Sequence, residues 1–261
     1  MINFESKSRY DVYDLERLIA LLRAPGGCPW DAEQTHESLR RNMLEEAYEA
    51  VEAIDERDAD HLKEELGDVL TQVIFHADIE REAGSFRLDD VADGVCRKLI
   101  FRHPHVFGDR EAGTAGDVLE LWDDVKRQEK HQETVTDALR SVARSLPALW
   151  RAEKLQKKAG KAVDGSRLDV WDAMDLMADR LYDLSAVLSD EEDGDPEEAL
   201  GDLLFAVVLA ARMTGTDPEN ALTKASDRFT ERFSAAESDA GGEALTPETE
   251  RALYEIICGE D

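Results

Sequence analysis

The chain has 261 residues, with 60 acidic against 31 basic side chains and a formal net charge of −29 at pH 7. Such an excess argues against a sequence-independent grip on a nucleic acid polymer or an anionic membrane, and any phosphorylated ligand must then arrive with a cation. The same imbalance, with more Arg than Lys, also suits a salt-rich cytosol in which acidic surfaces stay dissolved.

The longest wholly apolar run, LLFAVVLAA at 203–211, is too short to span a bilayer, and the opening MINFESKSRYD lacks the apolar core of a signal peptide. Cys28, Cys96 and Cys258 form no CxxC pair and leave an odd one over, so neither a disulfide framework nor a cysteine zinc site is indicated. These features predict a soluble chain in a reducing cytoplasm.

In chain order, the first strong break is APGGCP (24–29), and behind it Leu39, Met43, Leu44, Ala47, Val51 and Ile54 recur at helical spacing. The turn-like DERDAD (55–60) separates this helix from a second, whose apolar side carries Leu62, Leu66, Val69, Leu70, Val73 and Ile74. Further breaks fall at Gly84, HPHVFGDREAGTAG (103–116), KAVDGS (161–166), DEEDGDP (190–196) and GTDP (215–218). No alternating strand pattern interrupts the series, which predicts an all-α fold. DEEDGD lacks the full ligand pattern of a twelve-residue calcium loop and reads as a solvated turn.

Internal similarity divides the chain. ELGDVLTQVIF (65–75) aligns with ALGDLLFAVVL (199–209) at an offset of 134, and RKLIFRHP (97–104) with DRFTERFS (227–234) at an offset of 130. Two copies of one helical unit, residues 1–135 and 136–261, are expected to meet within the polar stretch KHQETVTDAL (130–139).

The first copy concentrates acid. Glu46 and Glu49 are three apart and share a helix face, as do Glu65 and Asp68. On antiparallel neighbours the two pairs can converge, and each pair of like charges then costs roughly 4 kcal/mol at 4 Å and an effective dielectric of 20. Such a cluster must take up protons or hold a cation, for which Mg2+, a hard ion that bridges to phosphates, is the natural candidate. The same spacing also occurs on ordinary solvated helices, but Glu46 lies at the edge of an apolar sector and Asp68 interrupts a run apolar enough to be buried.

GGCPWDAEQTHESL (26–39), EEAYE (45–49), EELGD (64–68) and RHPHVF (102–107) closely resemble MazG-type nucleoside triphosphate pyrophosphohydrolases, and LPALWRAEKLQKKA (146–159) is similar to the start of their C-terminal repeat. The resemblance implies two tandem helical-bundle repeats in a homodimeric, Mg2+-dependent enzyme. It would convert a nucleoside triphosphate to the monophosphate and pyrophosphate, in nucleotide-pool housecleaning. Its metal signature falls on Glu46, Glu49, Glu65 and Asp68, with Glu45 and Glu49 both placed to accept a proton. Its triphosphate contacts fall on Lys98 and Arg102, and Trp30, Asp31 and Gln34 match the segment that would line a base pocket, although Trp30 also suits a core. His103 and His105, beside a proline at a helix end, read as structural. Two rivals are a catalytically silent nucleotide-binding or interaction protein and a phosphoribosyl-ATP pyrophosphohydrolase.

The second copy departs from this pattern. Arg180 stands in the place of Glu46, Asp183 in that of Glu49 and Ala199 in that of Glu65, while Asp202 keeps the place of Asp68 and Arg228 and Arg232 that of the basic pair. A site altered in this way should not hold Mg2+ in the same manner. Because Asp202 sits in an apolar run, it is expected to be buried and ion-paired with Arg180, in a pair that Asp183 can share.

Overall fold

The computed structural model describes residues 4–114, 116–118, 121, 122, 125, 134–163, 168–189, 193–240 and 246. These residues form helices, turns and irregular segments, with no strand among them. The chain divides into two compact units, residues 1–126 and 127–261.

In the first unit α1 (Val12–Arg23) starts in a reciprocal cap between Asp11 and Asp14, and α2 (Pro29–Ala32) is a single turn behind the APGG break. Thr35 and Ser38 cap α3 (His36–Glu56) in the same reciprocal way. DERDAD proves to be a two-residue corner. Arg57 adopts a left-handed conformation, φ 60°, and closes α3, while the Asp58 carboxylate accepts the amides of Asp60 and His61 to open α4 (Ala59–Ala83). So tight a corner forces α3 and α4 into an antiparallel hairpin. Gly84, at φ 77°, ends α4; α5 (Leu88–Arg102) and α6 (Pro104–Phe107) follow.

The core of this unit is Ile19, Leu39, Ile74 and Phe75, with Leu15, Ile79 and Leu88 against it. Arg23 is buried beside it. Its Nε is 3.2 Å from Asp78 Oδ2, its Nη2 bonds Glu82, and its Nη1 donates to the carbonyls of Asp31 and Gln34 at 2.8 and 3.2 Å. One guanidinium thereby ties the 31–34 segment to α4.

In the second unit α7 (Val135–Arg140) precedes α8 (Ala148–Gly160), α9 (Val170–Leu188), α10 (Pro196–Met213) and α11 (Pro218–Asp239). Asp169, Asp195 and Asp217 cap the last three, and proline opens α10 and α11, where a missing amide hydrogen is harmless. The buried Gln156 donates to the Phe205 carbonyl at 2.7 Å and so fastens α8 to α10. Part of DEEDGD, the start of KHQETVTDAL and Cys258 lie outside the described residues; Cys28 and Cys96 are free thiols. Among the described residues no single helix is long and apolar enough to cross a membrane.

Candidate metal and nucleotide site

The α3/α4 hairpin sets α3 residues 46 and 49 against α4 residue 65. One carboxylate oxygen from each of Glu46, Glu49 and Glu65 lies within 4.8 Å of the others. Glu46 is half-buried and Glu65 is only 8% exposed, with its Oε2 buried and lacking a hydrogen-bond partner. Burial raises the pKa of Glu46 above the ordinary range, and the charges of Asp68, Glu49 and Glu65 raise it further. Burial and the Glu49 charge do the same to Glu65, opposed by His61. The fold thus concentrates negative charge here and leaves one oxygen without a donor.

Three hard oxygen donors and an orphaned buried carboxylate oxygen fit a divalent cation of the Mg2+ class. Asp68 stands outside this tight group. It is exposed, and so are Leu66 and Leu70, because only the C-terminal half of α4, from Gln72 to Asp78, enters the core. The expected burial of Asp68 is corrected accordingly, although its charge still bears on Glu46 and Glu65. Glu45 is exposed and also outside the group.

Trp30 is 59% exposed on α2, which removes the core alternative. Asp31 is half-buried and gives its carbonyl to Arg23. Both ends of the Gln34 amide are engaged locally, Nε2 with the Trp30 carbonyl at 2.8 Å and Oε1 with the Ser38 hydroxyl at 2.7 Å, so this side chain holds the turn together. Lys98 is exposed and Arg102 half-buried on α5; the charges that dominate the shift of Glu46 are carboxylates, not these cations. His103 bonds the Leu99 carbonyl at the end of α5, a structural role.

Two features escaped the sequence reading. His61 Nε2 lies 3.3 Å from Glu65 Oε1 and its Nδ1 3.6 Å from Glu56, so an imidazole flanks the carboxylate group; its position four residues before Glu65 was the available signal. At the other end of the hairpin His36 Nδ1 meets His76 Nδ1 at 2.7 Å and His36 Nε2 meets Glu80 at 2.8 Å. No local pattern announces that second chain of contacts.

In the second unit the expected Arg180 to Asp202 pair does not form. Arg180 bonds Asp183 at 2.9 Å, one turn along α9, and Asp202 is exposed. The surrounding run is apolar but open, with Leu200, Leu204, Phe205 and Val207 all exposed, so the Asp202 carboxylate needs no buried partner.

The profile of the MazG nucleotide pyrophosphohydrolase domain matches residues 34–107, which span the acidic hairpin and α5. YabN of Bacillus subtilis (strain 168), an uncharacterized protein, is 44% identical over 92% of this chain, which spans about half (49%) of YabN's length. The nucleoside triphosphate pyrophosphohydrolase/pyrophosphatase MazG of Thermotoga maritima is 42% identical over 86% of this chain and 84% of its own. The nucleoside triphosphate pyrophosphohydrolase of Escherichia coli (strain K12) is 40% identical over 85% and 87% respectively. With 40% identity or more over 84% and 87% of those two relatives' lengths, the chain belongs to the MazG nucleotide pyrophosphohydrolase family.

Proposed function

We propose that the first unit hydrolyses a nucleoside triphosphate to the monophosphate and pyrophosphate, with Mg2+ held by Glu46, Glu49 and Glu65 and by Asp68 at the rim. The convergence of three carboxylates around an oxygen with no donor carries this reading. When bound, the ion supplies Lewis acidity toward phosphoryl oxygen and water. The chain's own groups do the rest. Glu49, at the inner face of the hairpin, accepts the proton of the attacking water, with Glu45 the adjacent alternative on the exposed side. Lys98 and Arg102 bind triphosphate oxygens by charge-assisted hydrogen bonds. Trp30 offers an exposed ring to the base, beside Asp31, on a turn held by Gln34 and Arg23.

The same reading includes a homodimer acting in the cytoplasm in nucleotide-pool housecleaning, with no nucleic acid polymer or membrane as partner. Support for the dimer comes from Leu44, Tyr48 and Val51 on α3 and Leu66 and Leu70 on α4, which are apolar, uncovered and adjacent to the carboxylates. The two halves are read as tandem repeats, the second with a degenerate metal motif. The deciding experiment incubates the full chain with a panel of canonical and modified triphosphates, with Mg2+ or with a chelator, and identifies the products. Monophosphate and pyrophosphate formed only with the cation are expected; no release from any triphosphate refutes the reading.

A further inference from the structure

The offset of 134 that aligns the two acidic helices places Arg212 of α10 at the position of Asp78 in α4. The exchange reverses the charge of a buried corner. In the first unit that corner is filled by Arg23, the last residue of α1, paired with Asp78 and Glu82. In the second unit the last residue of α8 is Gly160, and a Cβ built there would stand 3.7 Å from Arg212 Nη1. Gly160, like Arg23 the last residue of its helix, thus faces a cation instead of an anion and contributes no side chain.

A cavity of about 390 Å³ lies here, bounded by Glu153, Lys157, Arg212, Gly215, Thr216 and Asp217. A second, of about 350 Å³, shares Thr216 and Asp217 with it and extends along α11 to Lys224 and Arg228. Four cations and two acids line the pair. Asp217 is already engaged, accepting the Trp150 indole N–H at 3.1 Å and the Asn220 amide at 3.0 Å. None of the four cations has an ion pair among the described residues, and Arg212 Nε is buried without a hydrogen-bond partner. The buried Arg212 Nε, facing open volume, calls for an acceptor there, and the exposed Lys157, Lys224 and Arg228 add positive charge around it that favours an anion.

We infer that this corner is an anion site for an oligophosphate, a diphosphate or longer chain, bound without a metal ion. The fork of Arg212 suits bidentate contact with phosphate and Lys157 adds a point charge in the same cavity, while Lys224 and Arg228 serve a second phosphate in the adjoining one. Two cavities with two cations each favour a chain of phosphates over a single one. The site lies wholly in the second unit and does not depend on the carboxylate group of the first.

The test is equilibrium dialysis of the full chain against inorganic pyrophosphate in excess EDTA, which removes any metal-dependent binding. One saturable equivalent per chain is expected, at least about tenfold tighter than orthophosphate. Lys157→Glu, at an exposed position, and Gly160→Asp, which sets a carboxylate beside Arg212, should each weaken pyrophosphate binding about tenfold or more while helical circular dichroism is retained. Lys98→Ala/Arg102→Ala should leave it unchanged. Absence of saturable binding, equal affinity for orthophosphate, or loss in the Lys98/Arg102 variant with retention in Gly160→Asp would each overturn the assignment.

Discussion

Replacing Arg23 by Met probes how the first unit holds the 31–34 turn against α4. The side chains of Arg23 and Asp78 are 4% and 1% exposed, so the substitution strands a carboxylate inside the protein. Removing one partner of a buried pair costs about 3–5 kcal/mol. Two structural details place this case near 3 kcal/mol on that scale. Arg81 Nε remains 2.7 Å from Asp78 Oδ1 as a substitute counter-charge, and the Arg23 Nε contact at 3.2 Å is an ion pair not aligned as a hydrogen bond. Opposing this relief, the carbonyls of Asp31 and Gln34 lose their guanidinium donor. Native-state amide exchange of α1 and α4 reads the first unit by itself, and the free energy of opening should fall by about 3 kcal/mol. Arg23→Met/Asp78→Leu, which removes the stranded charge, should recover part of the loss. A loss below about 1 kcal/mol in the single variant, the level of an exposed pair, would refute the account.

Further outcomes concern the candidate site and its flanks. Glu46→Ala, Glu49→Ala, Glu65→Ala and Asp68→Ala should each lower cation-dependent turnover by roughly 10–100-fold or more, the range for groups that hold a metal in place; near-normal rates in any two would remove the assignment. Lys98→Ala or Arg102→Ala should lower kcat/KM by roughly tenfold or more, equivalent to one charge-assisted hydrogen bond, with cation binding in the absence of nucleotide unchanged; unaltered kinetics would make both solvated surface cations. Because Glu46 is pushed above its ordinary 4.5, the folded metal-free protein holds its proton longer than the unfolded chain, and stability falls as pH rises through and beyond that value. Mg2+ should therefore raise the melting temperature more at pH 8 than at pH 5, and an equal rise at both would contradict this. His76 shifts the other way: burial, then the neighbouring His36, lowers it below 6.5, so its contribution is fully present above 6.5 and declines as pH falls below it. Urea midpoints at pH 7.5 and 5.5 should differ less in His76→Gln than in the parent chain, and an unchanged difference would exclude His76 as the source.

Much of the site was legible because it depends on local geometry. Three-residue spacing puts Glu46 with Glu49 on one face whatever the tertiary fold, and the Arg57–Asp58 corner leaves α4 little choice but to run back along α3. Asp68 and Asp202 were misplaced for a common reason: apolar neighbours in sequence were taken as buried neighbours in space. Both helices instead leave apolar side chains open at those ends, Leu66 and Leu70 in one, Leu200 and Leu204 in the other. Periodicity reports which face of a helix is apolar, not whether another element covers it.

By itself the sequence determined the helices, the acidic hairpin and its relation to the MazG family. Each of these rests on residues within about one helical turn of each other, or on motifs in linear order. The tertiary structure alone decided the long-range pairings: His36 with His76, 40 residues apart, and Arg23 with Glu82, 59 apart. It also decided that Gly160, at the end of α8, stands next to Arg212 of α10, beside a cavity. Those outcomes depend on the register in which helices pack, which is set by the fit of side chains across the interface and carries no fixed spacing along the chain.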